Sequence, residues 1–248
     1  MTRLLCLGTA DAFAHGARGN ACYWIEDAAG VVAVDFGPTA LMQARRFGCD
    51  LARLDGLYLT HLHGDHIGGL PVLLVELVYG QKRTRPFTIA GPPGTQARVE
   101  ALWAATFPSV LEGLPFEFRW LEWDVPGAVP ALGRTVHAIQ ARHDRLAVAT
   151  SLRIDGPRHR LAFSGDTGWQ PELAALVQGA DLFVCECSGV DTGYWGHLSV
   201  AELVQHRDEL QVGRLVVSHL SVESRAAAHR TAALRATVAD DGLVLTLR

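Results

Sequence analysis

The chain is 248 residues long, 49% hydrophobic and 19% charged, which argues against a disordered protein and supplies material for a large core. Its 22 basic and 26 acidic residues leave a formal net charge of −4. That balance argues against a general nucleic-acid coat protein, although it leaves room for a locally basic cleft.

Short β-type runs bounded by Gly, Asn or Asp occupy residues 3–9, 21–26 and 31–36. Residues 38–47 read as a helix with Pro38 in its first turn. A buried strand is expected at 56–60 and a helix at 67–79, which Pro71 begins or kinks. A strand at 87–90 runs into the turn Gly91-Pro92-Pro93-Gly94, and a helix is expected at 95–106. After a strand at 115–123, the Pro- and Gly-rich segment 125–133 reads as a loop, the seam between two halves of about 1–125 and 126–248. Strands are then expected at 135–141, 147–154, 160–163, 181–186, 214–218 and 243–247, with helices at 171–177, 199–207 and an Ala-rich 224–238. Strands followed by helices, twice over, predict an α/β sandwich in one domain: two sheets face to face, helices outside.

The five Cys form no C-x-x-C pair and are expected to be reduced thiols, which points to a cytoplasmic protein. The apolar run at 4–7 is too short for a secretory signal, and Asp11 puts a charge where such a signal would stay apolar. No stretch approaches the ~20 apolar residues that cross a bilayer, so no membrane partner is expected.

The densest chemistry lies just beyond the strand at 56–60. The segment His61-Leu62-His63-Gly64-Asp65-His66 places three His and one Asp within six positions. His61 and His63 are two apart, so an extended backbone points them the same way. Gly64 then lets the chain turn before Asp65 and His66. Such a segment can present two ligand sets to adjacent metals, and imidazole with carboxylate suits Zn, Mn or Fe. His143, Asp166 and His219 come after three further strand runs. Each alone reads as a loop His, a turn former or a cap. Together they put ligand-type groups at four strand ends, where sites form in α/β folds.

The order His61-x-His63-x-Asp65-His66, then His143, Asp166 and His219, resembles the metallo-β-lactamase superfamily of hydrolases over nearly the whole chain. Leu7-Gly8-Thr9 and Asp35 match the same pattern. The resemblance implies a four-layer αββα sandwich with its site at one edge of both sheets. It implies one divalent metal held by His61, His63 and His143, a second held by Asp65, His66 and His219, and Asp166 bridging. Zinc is the first expectation, with manganese or iron as alternatives. Asp35 would brace the ligand loop through hydrogen bonds.

Within the superfamily the chain is similar to the tRNase Z-like branch, which includes ribonuclease Z and small phosphodiesterases. The matching segments are Gly69-Leu70-Pro71, Cys185-Glu186-Cys187-Ser188 and Gly196-His197-Leu198-Ser199-Val200-Ala201. There Glu186 would orient His197, which would contact the phosphoryl oxygens or protonate the leaving group, while Asp65 would orient the nucleophile. Enzymes that process tRNA carry a long arm between the positions of His143 and Asp166, and here the interval is 23 residues. A small or cyclic phosphodiester is therefore the expected substrate, and nucleic acid is disfavoured. Arg142, Arg145 and Lys82-Arg83-Thr84-Arg85 are candidate anion contacts, and Tyr194 and Trp195 candidate stacking surfaces. A homodimer is expected by analogy, with the apolar stretch 70–79 as a candidate interface. The alternatives are a lactone, thioester or sulfate-ester hydrolase, a tRNA 3′-end endonuclease, and a mononuclear iron redox enzyme.

Overall fold

A computed structural model describes residues 1–144, 146, 148–194, 196–227, 230 and 234–248. The first sheet contains β1 (Thr2–Gly8), β2 (Cys22–Asp27), β3 (Gly30–Val34), β4 (Leu54–Tyr58), β5 (Phe87–Gly91) and β6 (Phe118–Glu122). The second contains β7 (Gly127–Ala131), β8 (Arg134–Gln140), β9 (Thr150–Asp155), β10 (Arg160–Phe163), β11 (Leu182–Glu186), β12 (Arg214–Ser218) and β13 (Ala236–Val238). The last strand, β14 (Val244–Leu247), returns to the first sheet beside β1, giving the orders β14-β1-β2-β3-β4-β5-β6 and β13-β12-β11-β10-β9-β8-β7. The sheets have the same plan. β1 to β3 and β7 to β10 are antiparallel, whereas β3 to β6 and β10 to β13 are parallel.

The helices are α1 (Ala40–Arg46), α2 (Gly64–Ile67), α3 (Leu70–Val75), α4 (Thr95–Thr106), α5 (Pro108–Leu111), α6 (Pro171–Val177), α7 (Val200–Gln205) and α8 (Val222–Ala226). Three apolar layers hold the architecture. Leu5, Leu7, Cys22 and Trp24 face α1, α3 and α4; Leu4, Cys6, Tyr23 and Ile25, their neighbours of opposite parity, face the second sheet. In β11 the same alternation sends Leu182 and Val184 between the sheets, and Phe183 and Cys185 toward α6 and α7. Both faces of each sheet are therefore buried, which makes the αββα sandwich. All five cysteines are thiols, and burial pushes the Cys6 thiol up to about 12.

Four expectations change. The segment 125–133 contains β7 rather than a loop; Pro130 is tolerated because β7 is an edge strand with one partner, β8. The helix expected at 67–79 is divided by Gly68-Gly69 into α2 and α3, after which a π-helical turn runs over Glu76–Gly80. A Cβ on Gly69 would collide with the Gly37 carbonyl. Of the Ala-rich helix expected at 224–238, residues 228, 229 and 231–233 lie outside the described residues; the described ones include the end of α8 and the strand β13, where pairing with β12 outweighs helical propensity. In the candidate dimer stretch, Leu70, Leu73, Leu74 and Leu77 are core residues, leaving Val72 and Tyr79 exposed. No helix among the described residues is long and apolar enough to cross a membrane.

At the edge remote from Asp35, Arg134 of β8 donates to Asp27 at the end of β2, with Nη2 to Oδ1 2.7 Å and both side chains almost wholly buried. Removing one partner of such a pair strands the other charge. Arg134→Ala is expected to lower stability by about 3–5 kcal/mol in urea denaturation, with kcat/KM unchanged well below the melting temperature.

Candidate metal centre

The parallel strands deliver the site. Asp35 comes directly after β3, Thr60 and His61 after β4, Asp166 after β10 and His219 after β12, while Glu186 ends β11. β8, running in the same direction as β10, delivers His143. His63 is extended and precedes the first turn of α2, which carries Asp65 and His66. Asp35 and His219 both take left-handed backbone, at φ 58° and 54°. For non-glycine residues this is costly and persists where surrounding structure enforces it.

Hydrogen bonds set the direction of each imidazole. Carbonyl and carboxylate oxygens only accept, so a ring nitrogen beside one carries the proton. His66 Nδ1 donates to Asp35 Oδ2 at 2.8 Å, and His143 Nδ1 donates to the Gly196 carbonyl at 2.8 Å. Thr60 Oγ1 donates to Asp35 Oδ2 at 2.9 Å, so its lone pair accepts from His61 Nδ1 at 3.1 Å. In all three rings Nε2 is left to face the centre. His63 is reversed: its Nε2 bonds Asp144 Oδ2 at 3.0 Å, leaving Nδ1 toward His143.

Ligand atoms of His61, His63 and His143 lie within 4.8 Å of one another, as do those of Asp65, His66, Asp166 and His219. Asp166 lies between the sets. Its Oδ2 is 3.8 Å from His61 Nε2 and 3.9 Å from His143 Nε2. Its Oδ1 is 3.0 Å from His219 Nε2 and 3.4 Å from His66 Nε2. Asp65 Oδ2 approaches His66 Nε2 at 3.3 Å and His219 Nε2 at 3.5 Å.

The charge states agree with this geometry. Burial holds the His61 and His143 imidazoles below their usual range and hence neutral. Burial opposes the His66 cation, but Asp166, Asp65 and Asp35 more than offset it and raise that group. Burial likewise opposes the Asp166 carboxylate, yet His219 and His66 hold it well below the ordinary carboxylate range. Among the described residues, His61 Nε2, His66 Nε2, His219 Nε2 and Asp166 Oδ1 are buried without a hydrogen-bond partner. Unpaired buried polar atoms are expensive. Five imidazoles and two carboxylates converge here, a donor set that fits divalent cations in charge and ligand type, and binding would displace the proton that the facing carboxylates hold on His66.

Glu186 lies beside the cluster. Its Oε1 accepts from His197 Nδ1 at 2.9 Å and from the Thr167 amide at 3.1 Å, while Ser188 N donates to Oε2 at 3.1 Å. Burial lowers the His197 imidazole, but the hydrogen bond and charge of Glu186 outweigh it, so the group is raised. The ring packs at 4.9 Å from His143 and 5.9 Å from His219.

All seven expected ligands, with Asp35, Glu186 and His197, therefore meet at one edge. The basic stretch does not: Arg83 is buried against the carbonyls of Leu54, Arg85 and Pro86, and Arg85 pairs with Asp55, at the opposite ends of the strands. Arg142 is exposed beside His143, whereas Arg145 and Trp195 lie outside the described residues. Asp144, Thr60 and the Gly196 carbonyl hold site residues in place without being among the expected ones. Asp144 stands next to His143 in the chain, and that adjacency was the one signal available.

Residues 31–220 match the model of the family described as the β-lactamase superfamily domain. The chain belongs to that superfamily. Ribonuclease Z of Bradyrhizobium diazoefficiens is 28% identical to this superfamily member over 278 aligned positions, spanning 89% of this chain and 90% of the relative. The metallo-β-lactamase fold protein YhfI of Bacillus subtilis superposes with a TM-score of 0.80 at 19% identity, covering 99% of this chain and 100% of YhfI. Human tRNase Z, short form, gives a TM-score of 0.79 at 21% identity and 99% coverage of both chains. This superfamily member has the metallo-β-lactamase fold and is a metal-dependent hydrolase. The ribonuclease Z match gives no support to the expectation that nucleic acid is disfavoured.

Zinc titration is expected to raise the melting temperature of the wild type, since a ligand that binds only the folded state stabilises it. Asp166→Ala should abolish that rise. Asp35→Ala should weaken zinc binding about 10–100-fold in chelator competition, because it frees both His61 and His66 to rotate.

Proposed function

We propose that the protein is a phosphodiesterase using two divalent metals, zinc first, on a small or cyclic phosphodiester. The observation that carries this reading is the position of Asp166, with one oxygen toward His61 and His143 and the other toward His66 and His219. In it, His61, His63 and His143 would hold one cation, Asp65, His66 and His219 the second, and Asp166 both. A bound pair of divalent cations acidifies water and neutralises charge on phosphoryl oxygens. Asp65, with an oxygen facing the cluster, accepts a hydrogen bond from the attacking water and fixes its direction. His197, its Nδ1 proton committed to Glu186, gives the Nε2 proton to the departing oxygen.

Compactness supports the small substrate. Between His143 and Asp166 the described residues form β9, a turn and β10, all within the second sheet, with no projecting arm. The ribonuclease Z relative favours a second reading, RNA 3′-end cleavage. The deciding experiment is a screen of metal-reconstituted protein on bis(p-nitrophenyl) phosphate, a lactone, a thioester and a short precursor tRNA. A higher kcat/KM on the carboxylic esters would overturn the proposal. Metal analysis should return two ions per chain; a single iron with oxygen consumption would favour a redox enzyme.

His197→Ala is expected to lower kcat by about 10²–10⁴-fold, the usual contribution of a positioned acid. The acid form is required, so activity falls as pH rises through the His197 pKa. Glu186 raises that pKa, and Glu186→Gln should therefore move the alkaline limb of the pH–rate profile to lower pH.

A further inference from the structure

We propose that the open cleft beside His197 binds a flat, uncharged aromatic group, a nucleobase or aryl ring, with Phe13 as the residue that selects it. Its assignment to the leaving-group side of the substrate rests on the phosphodiesterase reading; the binding itself does not.

The cleft measures about 470 Å³, and its lining includes Asp11, Phe13, His15, Asp191, Tyr194 and Glu223. That volume is within the range of small-ligand sites. Two contacts tie its lining to the neighbourhood of the metal centre. The Tyr194 ring is 4.7 Å from the His197 ring. The loop bearing Phe13 is tied to the residue after His219, with Leu220 N donating to the Thr9 carbonyl at 3.3 Å and Ala10 bridging to Leu220. A group leaving from the oxygen that His197 protonates would emerge here.

Phe13 is 78% exposed and Tyr194 55%. An exposed Phe beside a site is informative when its backbone is fixed, and this loop is fixed. The Phe13 amide donates to Asp11 Oδ1 at 3.2 Å, the other oxygen of Asp11 takes the His15 Nδ1 proton at 2.7 Å, and Asn20 Nδ2 donates to the Asp11 and Ala12 carbonyls. Ala14 and Ala17 take left-handed backbone, at φ 54° and 56°. The His15 ring packs against Phe13 at 5.5 Å. A ring presented this way loses little freedom when another stacks on it.

Charge decides what kind of ring. Asp11, Asp191 and Glu223 face the cleft, and no Lys or Arg lines it among the described residues. His15 and Arg230 partner the first two carboxylates. A polyanionic strand continuing from the scissile phosphate would meet these carboxylates without the basic contacts that phosphates require. A neutral ring avoids that conflict.

Adenosine, which carries no phosphate, is the probe. Its binding to the metal-loaded protein is measured by NMR titration, with inorganic phosphate binding measured by calorimetry as the control. Phe13→Ala should weaken adenosine about tenfold, the scale of one base stacked on one aromatic ring, and leave phosphate unchanged. Phe13→Trp should retain adenosine and Phe13→Leu should not, separating stacking from apolar contact. Equal adenosine affinity in all four proteins, or no binding to the wild type, overturns the proposal. Turnover of bis(p-nitrophenyl) phosphate with adenosine binding unmoved by Phe13→Ala sinks the subsite alone. Phe13-dependent adenosine binding without turnover of any phosphodiester supports the subsite and sinks the phosphodiesterase reading.

Discussion

Burial of charge at the edge of two sheets governs this molecule. Asp35 and Asp166 are sealed from solvent together with His61, His66 and His219, and none of these groups can relax toward water. Asp35 resolves its own burial by accepting from the Thr60 amide, the Thr60 hydroxyl and His66. Asp166 has its charge offset by His219 and His66, yet one of its oxygens and three facing ring nitrogens have no hydrogen-bond partner among the described residues. The contrast separates a carboxylate that organises the loop from one that is left open to a cation. It also explains why Asp35 tolerates a left-handed backbone: extended geometry would carry its carboxylate away from both Thr60 and His66.

The repeated sheet plan places these groups. The first sheet changes from antiparallel to parallel pairing at β3 and the second at β10, and Asp35 and Asp166 follow those two strands. Neither sheet holds a complete ligand set. His61, His63, Asp65 and His66 come from the first, and His143, Asp166 and His219 from the second. The apolar layer between the sheets is thus the ruler that sets ligand separation, and residues such as Tyr23 and Phe163, whose rings meet at 5.5 Å within it, fix that distance.

Much of the centre was legible in the sequence because ligand chemistry is local. A His-x-His-x-Asp-His run after an apolar strand says what it can bind before its fold is known, and strands such as Arg160–Phe163 and Arg214–Ser218 are marked by short apolar runs between turns. What stayed hidden depends on contacts distant in sequence. Asp144 matters through His63, 81 positions away. The strand at Ala236–Val238 forms because β12 offers an edge, against the helical preference of its Ala-rich neighbours. Arg83 looks like a surface charge until its guanidinium is found capping three carbonyls. Phe13 reads as one more apolar residue near the start of the chain, and nothing local says that its ring lies beside a site built from residues near 190 and 220.

The position of β14 has a consequence for biogenesis. β1 is translated before every other strand of the fold, but its outer edge pairs with β14, from Thr2 opposite Leu247 to Leu5 opposite Val244. Until the ribosome has made that strand, a run of apolar residues with free backbone donors and acceptors is available to other nascent chains. Asp241, just before β14, also receives Thr9, Gly19 and Gln43, so the loop carrying Phe13 gains its anchor at the same moment. That loop therefore reaches its final form only once the segment leading into β14 has been made.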